Sequence, residues 1–411
     1  MELFISLLGI IFLMGLAYLV SEQRQSISSR VVLSALALQI GFGVFVLYVP
    51  LGQAMLSSTS DVVMSTISYG QKGLSFLFGD LAEFKFGFIF AINVLAMVIF
   101  VSALIAVLYH LKVMNMLVTY LGGFVSKIIG TSRTESLSAT ANIFVGPVEA
   151  PIMIRPFVAS MTRSEMFAVM TGGLASVAGG TMIGYIQLGV DVKYLLTAAF
   201  MTAPAGIVFA KIIFPEVDTP QRNTSKVIKE NQTEAAGIFD AASVGAYQGL
   251  QQAVMIGASL LAFVGLIALF NGVLSSVGAW FGIEGLTLEL ILSYLFSPLA
   301  WFMGVPSHEV FQAASFIGQK LAVNEFVAYS SFVEVSEQLS PKTQAIISIA
   351  LCGFANFSSL AFVIGGLSAM VPERRQEIGA LGVKALFAAF LANLMSGTIV
   401  GLLISLDTLL N

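Results

Sequence analysis

The chain has 411 residues, of which 57% are hydrophobic and 10% charged, with a net charge of −4 and one cysteine, Cys352. So apolar a composition excludes an ordinary soluble domain, the thin charge gives no basic surface for nucleic acid, and a lone cysteine excludes an intrachain disulfide or a cysteine metal cluster. The chain reads as an all-α, polytopic membrane protein.

Apolar runs near the ~20 residues needed to cross a bilayer begin with 3–20 and 31–49. The first has no basic stretch before it and no small-residue cleavage pattern before Ser21, and is read as a spanning helix rather than a leader. Residues 51–80 carry Asp61, Gln71 and Lys72 among apolar residues. That is too polar for a span, leaving a helix at the interface or a loop with a short helix. Apolar runs return at 86–109, 194–214, 254–277 and 382–406. Between the third and fourth runs and again before the last, glycine and proline interrupt shorter apolar segments. The polar stretch 216–240, with Pro220, Asn223 and Asn231, divides the chain into two halves. Arg24, Arg30, Arg222, Lys226, Lys229, Arg374 and Arg375 mark loops expected on the cytoplasmic side.

One order of segments occurs twice. In the first half, 133–163 is broken at Gly146-Pro147, 165–188 is broken around 175–180, and a plain helix over 193–214 follows. In the second, 286–329 is read as broken at Gly304-Val305-Pro306 and 343–371 at 353–359, before a closing helix over 378–406. Paired interruptions in corresponding places point to the binding site of a secondary transporter.

Polar residues sit at those breaks: Asn142, Glu149, Ser176 and Thr181 first, then Gln319, Asn324, Glu325, Asn356, Ser358 and Ser359. A broken helix leaves N–H groups unpaired on one side and carbonyls on the other. The carbonyl ends attract a cation and the N–H ends a polar or anionic group. Serine or asparagine in such helices often only bridges neighbours, contributing about 0.6 kcal/mol. A mid-membrane acid such as Glu149 or Glu325 costs roughly 2.5 kcal/mol or more unless it is used. His308-Glu309 lacks the second histidine of a zinc-protease motif, because position 312 is Gln312. With no phosphate-binding loop and no nucleophile elbow, the chain has neither an ATP engine nor a hydrolase motif, and an ion gradient is the expected energy source.

Four stretches, Gly146-Pro-Val-Glu-Ala-Pro151, Ala175 to Tyr185, Gly318 to Tyr329 and Cys352 to Ser359, are similar to the concentrative nucleoside transporters, and the resemblance runs through nearly the whole chain. It implies inverted repeats, two re-entrant helical hairpins and two broken transmembrane helices. It also implies a homotrimer in the bacterial cytoplasmic membrane, each protomer moving its site by an elevator motion. By position the scaffold would take residues 1–130 and 241–285, with 131–215 and 286–411 forming the transport region and 216–240 the connector. Sodium, the implied coupling ion in a protein without a cofactor, matches Asn142 and Ser176 through side-chain oxygens and Val145 and Val177 through carbonyls. Glu325, Asn356 and Ser359 match the ribose positions, Phe354 the aromatic beside the base, and Glu149 the hairpin carboxylate near the base. Where many members carry Gln and Thr, this chain has Pro147 and Val148, and loss of that Gln accompanies purine preference. Proton coupling through Glu149 or Glu325, a nucleoside channel and an intramembrane hydrolase are the rival readings.

Overall fold

The computed structural model describes residues 2–83, 85–147, 150–151, 154–218, 235–282 and 285–410, all helix, turn or loop without a strand among them. α1 (Glu2–Leu19) and α2 (Ser29–Tyr48) occupy the first two apolar runs, and the Ser28 hydroxyl accepts from Val31 N at the start of α2. Proline at the first helical position, where its missing N–H costs nothing, opens α3 (Pro50–Phe78). The whole mixed segment is thus one 29-residue helix, not a loop with a short one. A π turn over Ala91–Leu95 leads into α4 (Ala96–His110), and α5 (Val113–Ile129) follows.

The first repeated unit comprises α6 (Arg133–Ala141), α7 (Arg155–Val158), α8 (Arg163–Ala175), α9 (Gly179–Leu188) and α10 (Val192–Ile213). The second comprises α12 (Leu288–Phe302), α13 (Val310–Ala322), α14 (Glu325–Val335), α15 (Pro341–Leu351), α16 (Phe357–Met370) and α17 (Arg375–Leu410), and α11 (Ile238–Trp280) lies between the units. At about 1.5 Å per residue, α6, α13 and α14 fall well short of a ~30 Å hydrocarbon core. α8 with α9 and α15 with α16 are split by a few non-helical residues, where the sequence placed the breaks.

One break is moved. Gly304, at φ +85°, ends α12, and a Cβ there would collide with the Ser6 hydroxyl. That interruption is the turn before the second hairpin. Its tip lies at Val323 and Asn324, because the Asn324 side chain accepts from Val327 N at 3.0 Å and starts α14.

Packing separates two environments. α10 and α17 are enclosed by protein, with α17 touching α8, α10, α15 and α1. α1 and α2, expected with the scaffold by position, lie against α10, α12 and α17, and Gln39 donates to Ser396 Oγ at 3.0 Å. α11 is 43 residues long and largely uncovered. Its small residues Ala241, Gly245, Gly249 and Ala253 recur every fourth position and are buried. The two glycines let α4 approach closely: a Cβ on Gly249 would come within 2.8 Å of Ile99 Cα.

Candidate substrate and ion site

The first hairpin tip is laid along the first helix break. Asn142 caps the C-terminal end of α6, and the tip backbone is fastened to the start of α9 where Gly179 N donates to Phe144 O at 3.2 Å. The Asn142 amide lies against Gly172 of α8, whose Cβ would stand 3.5 Å from Nδ2. Asn142 is buried, yet neither end of its amide has a hydrogen-bond partner among the described residues. Ser176 follows the last residue of α8, its N–H bonded to Gly172 O and its hydroxyl donating to Gly173 O at 3.0 Å. That leaves the hydroxyl's lone pairs directed elsewhere. Val145 and Val177 are buried on the tip and in the break. The structure therefore brings all four expected ion residues to one junction of hairpin and break. An amide oxygen with no donor among the described residues, a serine oxygen and backbone carbonyls are the kinds of oxygen ligand that could hold a hard monovalent cation.

The two breaks touch. Phe354 N donates to Ser176 O at 3.0 Å, joining the second break to the first. Gly353, at φ +148°, makes this crossing possible, since a Cβ would collide with the Ala175 carbonyl and the Asn393 amide. The Phe354 ring is half-buried beside this bond.

The polar side chains of the second half converge on one carboxylate. Glu325, at the first position of α14, accepts from Tyr185 OH at 3.0 Å on Oε1 and from Asn356 Nδ2 at 2.6 Å on Oε2. Asn356 is also the N-cap of α16: its Oδ1 accepts from Ser359 N at 2.8 Å and from the Ser358 hydroxyl at 2.7 Å. Glu325, Asn356 and Ser359 thus form one cluster across α14 and α16, all buried. Tyr185 is the member that sequence reasoning left without a role. It packs against Tyr329 and Phe326 with ring centroids 4.6 and 4.8 Å away, a floor of aromatic rings beneath the carboxylate. Pro147 is half-buried against α8, where a Cβ on Gly173 would meet it at 3.1 Å. Val148 and Glu149 lie outside the described residues.

A second polar cluster, also unassigned from sequence, anchors the feet of the hairpins. Glu135 and Glu165 each accept from the backbone N–H three residues earlier, Ser132 and Thr162, whose hydroxyls accept from the glutamate N–H in return. Thr134 Oγ1 donates to Glu165 at 3.0 Å, while buried Lys211 pairs with Glu135 and donates to Ser164 Oγ at 2.8 Å. Glu216 accepts from Thr162 Oγ1 at 2.9 Å, and burial holds its carboxyl above the ordinary range despite nearby Lys211. The second hairpin is held by Glu309, which accepts from Ser340 N and Oγ, both at 2.8 Å, and from the Thr343 hydroxyl. Its neighbour His308 is exposed, so the pair is an anchor without a metal-binding cluster around it among the described residues.

Three family models match in succession: "Na+ dependent nucleoside transporter N-terminus" over residues 8–81, "Nucleoside recognition" over 91–191, and "Na+ dependent nucleoside transporter C-terminus" over 194–401. The chain is 50% identical to the uncharacterized transporter YutK of Bacillus subtilis, covering 97% of this chain and 98% of that one. It is 45% identical to the nucleoside permease NupC of Helicobacter pylori, covering 98% of both. Among solved structures it is similar to CNTnw in an inward-facing substrate-bound state, at 49% identity and TM-score 0.94 over 99% of both chains. Substituted variants of CNTnw have also been solved in outward-facing and intermediate states, to which the chain is similar at TM-scores of 0.94 and 0.96. With six helices long and apolar enough to cross a membrane among its described residues, and with these matches along its length, the chain is a multi-pass membrane protein, not an enzyme, and belongs to the Na+-dependent nucleoside transporter family.

Proposed function

We propose that this chain is a sodium:nucleoside symporter of a bacterial cytoplasmic membrane. The observation that carries the reading is the hydrogen bond from Phe354 N to Ser176 O. Ser176 belongs to the ion junction and Phe354 to the base side of the substrate site, so an ion that orders the first break also orders the second. This is coupling in its thermodynamic sense, and it works in both directions. Glu325, Asn356 and Ser359 would take the ribose hydroxyls, with Phe354 and Glu149 at the base. Pro147 offers the base no backbone donor and Val148 no polar side chain, which supports a preference for purine nucleosides. Alternating access by an elevator motion is supported by the several states in which the relative CNTnw has been solved. The packing favours α3, α4 and α11 as the static frame and the repeated units, with α1 and α2, as the moving body. The uncovered apolar faces of α3 and α11 support association into a homotrimer.

Uptake of labelled nucleoside into proteoliposomes tests the reading. An inward sodium gradient should drive accumulation above the external concentration, and potassium in its place should not. Accumulation that persists without sodium and follows an imposed pH gradient would establish proton coupling instead. Saturation at equilibrium under every gradient would establish a channel.

A further inference from the structure

The two helix breaks differ in what meets their carbonyl ends. At the first, the Asn142 amide and the hydroxyls of Ser138 and Thr140 on α6 and of Thr171 on α8 are buried without hydrogen-bond partners among the described residues. At the second, a side chain fills the corresponding role. Lys320, on α13 of the second hairpin, is fully buried, and its Nζ donates to Ala350 O at 2.6 Å and to Asn393 Oδ1 at 2.7 Å. Asn393, on α17, turns its Nδ2 to Ala175 O at 2.6 Å and Cys352 O at 3.2 Å. Ala350 lies in the last turn of α15, Cys352 caps that helix, and Ala175 ends α8. Three carbonyls at the negative ends of two half-helices are therefore answered by one ammonium, acting directly and through one amide. A buried ammonium is tolerated only where such partners surround it.

We propose that Lys320 is the built-in cation of the second repeat: where the ends of α8 and α15 meet, its ammonium does what the external ion does at the first hairpin tip. The inference rests on the ion-coupled reading above. It explains why, among the described residues, open oxygen ligands are found at the first break and not at the second. Acting through Asn393, Lys320 is a positioning residue that holds Gly353 and Phe354 at the crossing. It also supplies the charge opposite to Glu325 from the same hairpin.

The test uses Lys320→Ala, which removes the ammonium and leaves room for a small cation, beside Lys320→Met, which fills the room without charge. In proteoliposomes, Lys320→Ala should lose uptake by about tenfold or more at a sodium concentration that saturates the parent, because the carbonyl ends lose their cation. Raised sodium, lithium or ammonium should restore it, with a Hill slope about one greater than the parent's, as an added required ion demands. The same cations should raise the thermal midpoint of purified Lys320→Ala more than that of the parent, a readout that a merely structural lysine would not move. Lys320→Met should stay inactive at every cation concentration. Parental uptake with a parental cation curve in Lys320→Met would overturn the inference. So would a Lys320→Ala protein whose uptake and melting respond to cations as the parent's do, or one that fails to fold in all three cations. A parent indifferent to sodium would refute symport separately, and a cation requirement newly gained by Lys320→Ala would still support this role.

Discussion

The junction around Asn142 and the cluster around Glu325 are both buried and polar, yet their hydrogen-bond states are opposite. Among the described residues Asn142 has a partner at neither end of its amide, whereas Glu325 already accepts from Tyr185 and Asn356, and Asn356 accepts in turn from Ser358 and Ser359. An unanswered buried polar group costs roughly 1–3 kcal/mol, so a group that completes the first region would stabilise it by about that much. The second completes itself, and a bound sugar would have to exchange its hydroxyl groups for some of these internal bonds. The contrast supports the proposed division into an ion site and a ribose site more sharply than residue type does, since serine and asparagine occur in both.

The largest effect is expected at Glu325. Glu325→Gln removes the charge and one of the two acceptor oxygens to which Tyr185 OH and Asn356 Nδ2 donate, so no charge-assisted bond remains and the Tyr185 hydroxyl can only keep its contact by turning to accept. Hydrogen bonds to a charged acceptor contribute about 1.5–3 kcal/mol, which corresponds to roughly tenfold to a hundredfold in nucleoside affinity. Binding titrations with several nucleosides should show the loss for all of them alike. A change in the ranking of bases with affinity otherwise retained would place Glu325 at the base and not at ribose.

Asn142→Ala and Ser176→Ala break the comparison from its other side. Each deletes an oxygen from a junction with no carboxylate among the residues assigned to it, so the half-saturating sodium concentration for uptake should rise several-fold. Nucleoside affinity measured without sodium should stay near the parental value, since the Glu325 cluster is untouched. By reciprocity, nucleoside affinity should improve only at correspondingly higher sodium. Sodium curves that coincide with the parental one in both variants would remove these residues from the ion site.

Base selection is expected to be a smaller effect. With Pro147 and Val148 supplying no side-chain donor, a pyrimidine edge buried at this face lacks partners, at about 1–3 kcal/mol, or around tenfold in competition. Adenosine, guanosine and inosine should therefore outcompete uridine and cytidine, and Pro147→Gln with Val148→Thr should recover pyrimidine binding. Uridine inhibiting the unaltered protein as well as the purines do would end the purine reading and leave nucleoside recognition through ribose in place.

The spans and three of the four breaks were legible because each departs locally from an apolar background: a glycine, a proline or an amide where a membrane helix should be uniform. What stayed hidden depends on contacts distant in sequence. Tyr185 reads as an ordinary aromatic until α14 brings Glu325 to its hydroxyl, 140 positions away. Lys320 and Asn393 acquire meaning only where the ends of α8 and α15 meet. The second hairpin tip was misplaced for a local reason: Gly304-Val305-Pro306 is the stronger turn signal, whereas the true tip turns on the single side-chain cap of Asn324. Ser132-Arg-Thr-Glu135 and Thr162-Arg-Ser-Glu165 have the same capping-box spacing, and both close in the structure around Lys211 and its neighbours.

Ser359 supplies the smallest and most discriminating test, because its two polar groups belong to different sides of the comparison. Its backbone N–H holds the cap by donating to Asn356 Oδ1 at 2.8 Å, and alanine keeps that donor. Its hydroxyl is the group assigned to ribose, a neutral partner worth about 1 kcal/mol and hence roughly fivefold in affinity. Ser359→Ala should therefore weaken nucleoside binding by that factor while the thermal midpoint of the nucleoside-free protein stays unchanged. Asn356→Ala, which removes the cap and one bond to Glu325 together, should lower both. If Ser359→Ala destabilised the free protein as much as Asn356→Ala does, the hydroxyl would belong to the internal network, and the ribose would have to be bound by Glu325 and Asn356 without it.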